Sequence, residues 1–161
     1  ASARIEDALV ILERVLDDTS PFLAHALALK GQILFGKKDL RGARSALDRA
    51  VAIYRKGLDG PSYVIGISEV YLALIASEQG ESAAALAYLD DAKANYDASY
   101  TGIHPNHGDL LVNRARVLAR AGRRSEAAAD CASGLAILVD TLGRDHGFTR
   151  ENQAVCEEIT R

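Results

Sequence analysis

Methionine and tryptophan are absent from the 161 residues, and proline occurs only three times. Aromatic side chains make up 6% of the chain, so it has few of the residues that are enriched in β-strands. The scarcity of proline also leaves long segments in which nothing interrupts an α-helix. These absences argue against a β-rich protein and predict an all-α fold.

Cysteine is almost absent as well, since the chain has only Cys131 and Cys156. Two cysteines are too few for a disulfide framework, and neither lies in a CxxC or Cys/His zinc spacing. We therefore expect free thiols in a reducing compartment, which predicts a cytoplasmic protein. Cys131 falls at a position that is apolar in the repeat described below, so we expect a small core residue and not a nucleophile.

The chain lacks a long apolar segment and a strong charge of either sign. No run approaches the roughly 18 apolar residues of a membrane span, and no charged start followed by an apolar core suggests a signal peptide. The formal net charge is -3, which provides no basic field for nucleic acid or anionic membranes. With 48% hydrophobic and 25% charged residues, residues 1–161 fit one globular domain whose partners are proteins or peptides.

Catalytic motifs are also lacking. There is no GxSxG elbow, phosphate-binding glycine loop, HExxH or GxGxxG, so we expect neither an enzyme nor a cofactor. The one alternative is a metal site at His104, His107 and Asp109, whose side chains are possible zinc ligands by type. We favour a structural interpretation, because His104 recurs as His146 and Pro105 suits the first position of a helix that Asp109 continues. No metal site is therefore predicted.

What the sequence does contain is an internal repeat of 42 residues. Gly80 to Ala85 recur as Gly122 to Ala127, and small residues are spaced identically in two further columns: Ala43, Ala85 and Ala127, then Ala8, Ala50, Ala92 and Gly134. Apolar residues recur at three- and four-residue steps, so each unit contains two amphipathic helices. Gly80 and Gly122 fall between paired helices, where positive φ is often required.

The repeat divides the chain into a half repeat, three full repeats and a capping helix. We expect the half repeat at 1–18, repeats at about 21–60, 63–102 and 105–144, and the cap at 147–161. The periodicity predicts helices at about 3–17, 21–36, 40–57, 63–79, 82–99, 106–121, 124–142 and 147–160.

This pattern resembles the tetratricopeptide repeat, in its 42-residue kinesin-light-chain-like form. The residues that carry the resemblance are Gly31, Leu34, Ala43, Leu47 and Ala50, then Leu72, Ala73, Gly80, Ala85, Leu89 and Ala92, then Ala115, Leu118, Gly122, Ala127 and Leu142 to His146. The chain departs from the family pattern at Lys30, Arg114, Cys131 and Gly134. The resemblance implies an α-solenoid of about eight helices, in antiparallel pairs that form a right-handed superhelix with a peptide-binding concave groove.

The first helix of each repeat lines that groove in the family. In the third repeat, Asp109, Asn113, Arg116 and Arg120 form one polar helical stripe. The resemblance assigns Asn113 to a bound peptide backbone, and the two arginines suit carboxylates, so we expect an acidic segment as partner. Corresponding columns of the earlier repeats contribute Gln32, Phe35, Tyr71 and Leu74, beside His25, Leu29 and Glu78. Alternatively, the arginines only keep the helix soluble or pair with Glu126 and Asp130.

The ends of the array lead to two further expectations. Residues 3–17 align with second helices, so their first helix is missing and Leu9, Leu12 or Leu16 should remain uncovered, which suits a homodimer. We therefore expect a part of a longer protein, closed by the polar helix after His146. A protein-binding adaptor is the leading hypothesis. The alternative is a regulatory or assembly arm of a larger protein, such as a bacterial kinase or transcription regulator.

Overall fold

Eight α-helices follow one another in the computed structural model, which describes the backbone of residues 2–161 and the side chains of Asp7 and residues 9–161. No strand occurs within that range. The helices are α1 (Ser2–Val15), α2 (Pro21–Gly36), α3 (Leu40–Gly57), α4 (Tyr63–Glu78), α5 (Ser82–Ser99), α6 (Pro105–Arg120), α7 (Arg124–Leu142) and α8 (Gly147–Thr160). Between residues 2 and 161, none of these helices is long and apolar enough to cross a membrane.

The predicted helices are confirmed, with end points that differ by at most two residues. The largest difference is at α1, which ends at Val15 because the Asp17 carboxylate accepts hydrogen bonds from the backbone N–H and the hydroxyl of Thr19. This local turn competes with continued helix. α6 begins at Pro105, because the preceding His104 caps its first turn.

The helices form an α-solenoid of two layers. The first helices α2, α4, α6 and α8 contact one another in order, while α3, α5 and α7 each pack against the first helices on either side of them. Ala43, Ala85 and Ala127 are each 0% exposed, which confirms that this column lies at buried helix crossings. Small residues there allow close packing between the layers.

A left-handed turn joins the two helices of each full repeat. Gly80 and Gly122 have φ values of 80° and 79°, as the sequence predicted. The equivalent position of the first full repeat is Lys38, 42 residues before Gly80, and its φ is 65°. A residue with a Cβ is disfavoured in this region, so the geometry of the repeat holds Lys38 in a strained conformation.

The expectation of free thiols is wrong, because Cys131 of α7 and Cys156 of α8 form a disulfide with a Cα–Cα distance of 5.6 Å. The pairing arises when α8 packs on α7 and brings together two residues that no spacing motif connects. Because the two cysteines are bonded to each other, they no longer support the expectation of a reducing compartment. Cys131 is 2% exposed, so its predicted place in the core is confirmed.

The uncovered apolar surface of α1 is also not the predicted one. Leu9 is only 4% exposed, and Leu12 and Leu16 pack against the same core, whereas Val10 is 51% and Ile11 61% exposed. Val15 and Phe22, at 69% and 77%, continue this exposed surface, which we call the α1 patch. The three leucines pack against the rest of the array, which buries Leu9 fully and Leu12 and Leu16 in part.

Candidate binding groove

One pocket of about 340 Å³ lies on the layer of first helices and takes residues from all four of them. α2, α4 and α6 contribute seven of the eight predicted groove residues: Gln32, Phe35, Tyr71, Leu74, Asp109, Asn113 and Arg116. Gly36, Val70 and Phe148, which were not predicted as groove residues, complete the lining. The eighth predicted residue, Arg120, does not line this pocket.

Part of the pocket lining is aromatic. The rings of Phe35 and Tyr71 meet edge to face, with centroids 5.8 Å apart, and so connect the walls from α2 and α4. Leu74 and Phe148 extend this apolar wall. Rings fixed in this way present a preformed surface, because few rotamers remain to be ordered when a ligand binds.

Another part of the lining is a chain of hydrogen bonds along α6. Arg116 Nη1 donates to Asn113 Oδ1 at 3.2 Å, and Asn113 Nδ2 donates to the Asp109 carboxylate and backbone oxygens, both at 3.0 Å. Asn113 is 8% exposed, so most of its amide is used inside the protein. Its geometric effect is to fix the guanidinium of Arg116 beside the pocket.

Burial raises the pKa of Asp109 from 3.8 to about 6. A hydrogen bond from Asn152, the positive charge of Arg116 and the hydrogen bond from Asn113 all oppose this rise. The desolvation of the carboxylate therefore outweighs its partners. As a result, the charge of the pocket changes near pH 6, because Asp109 is neutral below that value and negative above it.

Arg120 extends away from the pocket toward the preceding repeat. Its Nη2 lies 2.9 Å from Glu78 Oε1, and these two residues are 42 positions apart, in the same column of adjacent repeats. Glu126 and Asp130, the alternative partners predicted for the groove arginines, pair with other arginines instead. Arg123 pairs with Glu126, and Arg114 lies 3.5 Å from Asp130.

The two histidines of the possible metal cluster cap α6. His104 Nδ1 accepts from the Asn106 N–H, and His107 Nδ1 accepts from the His104 N–H. His146 caps α8 in the same way. Within the described part of the chain, no group of three His, Cys, Asp or Glu side chains is arranged to hold a metal ion.

A second polar network, which the sequence did not predict, lies between α3, α4 and α5. Glu69 is 1% exposed, and its carboxylate accepts from Arg55 at 2.8 Å and from Asn95 at 3.0 Å. Asn95 also accepts from the backbone N–H of Ser62, which precedes α4. Burial raises the pKa of Glu69 to about 7, although Arg55 opposes this change. The signal in the sequence that could have indicated this buried carboxylate is its repeat column, because the equivalent positions of the neighbouring repeats hold the apolar residues Leu27 and Leu111.

Known proteins share the repeat and the fold of this chain. Residues 109–147 match the family model of the tetratricopeptide repeat. Two crystal structures of nearly identical TPR-like repeats, from a Podosopora anserina protein assigned as a kinesin light chain, are each 20% identical to the chain. They cover 96% of this chain and 73% and 74% of their own, with TM-scores of 0.72 and 0.71. No curated protein matches it.

These comparisons confirm the resemblance that the 42-residue period indicated. The segment matched by the family model runs from Asp109 in α6 through α7 to Gly147, the first residue of α8. The matching structures extend the same fold over nearly the whole chain. The protein is a helical array with the tetratricopeptide-repeat fold.

Proposed function

We propose that the chain is a non-catalytic module that binds a segment of another protein in the groove formed by α2, α4, α6 and α8. The observation that carries the proposal is the pocket of about 340 Å³, whose lining combines aromatic side chains with Arg116. Such a pocket suits an apolar side chain that is followed or preceded by a carboxylate. Proteins with tetratricopeptide repeats are in general protein-binding scaffolds, which favours the same conclusion.

Arg116 is the principal anchor in this proposal, and Arg120 is a second one at the edge. Arg116 makes one hydrogen bond to a neutral amide, so most of its five donors remain for a ligand. Arg120 must first leave Glu78, so its net contribution to binding is smaller. Asn113 holds Arg116 in place and reaches a peptide backbone only if its internal bonds rearrange.

The test is selection of ligands from a displayed library of random peptides, followed by calorimetric titration. We expect selected peptides to combine an aromatic or aliphatic residue with Asp or Glu and to bind with micromolar affinity, about -8 kcal/mol. Affinity should fall as salt rises. Arg116→Gln should weaken binding by about tenfold or more, because the charged hydrogen bond is lost. Glutamine is preferred to glutamate because Asp109 is close by.

Arg124→Gln is the matched control, since Arg124 is an exposed arginine of α7 outside the pocket. It should leave affinity unchanged. The proposed groove would be wrong if both variants bound the selected peptides as tightly as the parent, or if selection yielded no acidic peptides.

Lowering the pH from 7 to 5 should also tighten binding, because protonation of Asp109 removes a negative charge that repels the ligand.

The second candidate is an arm that holds two copies of a larger protein together. The α1 patch favours it, because four large apolar side chains are exposed within and beside one helix. The homodimer expected from the sequence would use this patch and leave the groove free. Sedimentation of the protein at several concentrations distinguishes this candidate from the first, which requires no self-association. A cytoplasmic location, also expected from the sequence, remains a prediction.

A further inference from the structure

Helix α8 is attached to the array by few apolar contacts. Its buried residues are Thr149, Asn152 and Cys156, of which two are polar. Only Cys156 is a buried apolar anchor, and it is bonded to Cys131 of α7. Val155 and Ile159 add partly buried contacts. A large share of what holds α8 in place is therefore the disulfide.

The same helix completes the groove. Phe148, in its first turn, forms part of the aromatic wall of the pocket. Asn152, one turn later, donates to the backbone oxygen of Phe148 at 3.0 Å and lies close enough to the carboxylate of Asp109 to oppose the rise in its pKa. If α8 moved, the pocket would lose a ring, and Asp109 would lose a partner and part of its burial.

The two cysteines of the disulfide help to line an open cleft between α7 and α8. This cleft has a volume of about 660 Å³, and its lining includes Cys131, Cys156, Ala128, Ala132 and Gln153. The cysteines themselves are only 2% and 4% exposed, but the cleft that they line with small alanine side chains is open to solvent. An attacking thiolate needs such a path, because exchange rates depend on access to the sulfur.

We propose that the bond between Cys131 and Cys156 is a thiol–disulfide switch. The oxidised bond fixes α8, whereas its reduction releases α8 and so opens one wall of the groove. The reductant is a dithiol. One of its thiolates attacks a sulfur of the protein disulfide, which breaks the S–S bond and forms a mixed disulfide. Its second thiol then displaces the protein sulfur. The dithiol leaves as a disulfide, and its two electrons and two protons remain on the two cysteine thiols.

The effect on ligands rests on the proposed function, but the switch can be tested without any ligand. Amide hydrogen exchange is measured on the native protein before and after treatment with dithiothreitol, with the thiols counted by a chromogenic disulfide. We expect exchange in α8 to accelerate on the order of 100-fold after reduction, while α2 to α5 keep their protection. Reoxidation should restore the protection of α8.

The double substitution Cys131→Ala and Cys156→Ala supplies the control. It should show fast exchange in α8 both with and without dithiothreitol, and the NMR signals of Phe148 and Asp109 should match those of the reduced parent. The proposal would be overturned by unchanged protection of α8 after both thiols have appeared, or by loss of protection throughout the array. A disulfide that dithiothreitol does not reduce in the folded protein would equally refute the switch. If the groove binds no peptide but α8 still responds, only the proposed function fails.

Discussion

The buried carboxylate of Glu69 gives the most direct test of the electrostatics of this fold. Two effects oppose each other there: burial at 1% exposure favours the neutral acid, and the guanidinium of Arg55 at 2.8 Å favours the anion. The Arg55 side chain is 60% exposed, so water screens much of its charge. Asp91 adds a repulsive charge. Burial therefore prevails and raises the pKa of Glu69 from 4.5 to about 7.

The size and sign of the effect on stability follow from this rise. A shift from 4.5 to about 7 corresponds to roughly 3 kcal/mol in the free energy of unfolding. The folded protein holds the Glu69 proton more tightly than the unfolded chain does. Its contribution is thus fully present below pH 4.5 and is lost as the pH rises toward 7. Glu69→Gln removes the titration while keeping the size of the side chain.

The assay is urea unfolding of the parent and Glu69→Gln at half-unit steps between pH 4.5 and 8. We expect the stability of the parent relative to the variant to decrease by up to about 3 kcal/mol across this range. The same substitution at the exposed Glu158 is the matched control. If the relative stability of the parent instead increased with pH, Arg55 would outweigh burial and the reasoning would be refuted. Parallel curves for Glu69→Gln would refute it as well.

Three further predictions concern the repeat. Ala85→Leu should overpack a fully buried crossing and lower stability by about 1 to 3 kcal/mol in thermal unfolding; an unchanged melting temperature would contradict the crossing. Gly80 and Lys38 both have positive φ, so Gly80→Ala should lower the free energy of unfolding by about 1 kcal/mol, whereas Lys38→Gly should leave it unchanged or raise it by up to about 1 kcal/mol. Equal effects of the two substitutions in urea unfolding would contradict this reasoning. Ile11→Gln should reduce any self-association seen in sedimentation without lowering the melting temperature, because the side chain is 61% exposed; unaltered sedimentation would exclude the α1 patch as the contact.

The features that depend on one helix or one column were predictable from the sequence. Helix positions, the buried alanines and the left-handed turns at Gly80 and Gly122 follow from the 42-residue period, because equivalent positions in stacked repeats have equivalent surroundings. Most of the groove lining was predictable for the same reason, since Tyr71 and Asn113 are exactly one period apart.

Features that require two particular side chains to meet were not predictable. The period does not reveal that Cys131 and Cys156 are neighbours, because they belong to different columns and different helices. It also does not indicate that Arg120 bonds to Glu78, since a column fixes where a residue lies and not which way a long side chain extends. The α1 prediction failed similarly: the sequence indicated an unpartnered helix but not which of its apolar residues the neighbouring helices cover.

The disulfide between α7 and α8 also determines how the array responds to mechanical tension. The cysteines are 25 positions apart, so the chain that joins them could extend to about 90 Å, but the bond holds their Cα atoms 5.6 Å apart. When the two termini are pulled apart, this segment contributes almost no length until the bond is reduced. α1 lies at the other end, contacts α2 and has no covalent cross-link. Unravelling under load should thus begin at α1 and proceed repeat by repeat toward the cross-linked end.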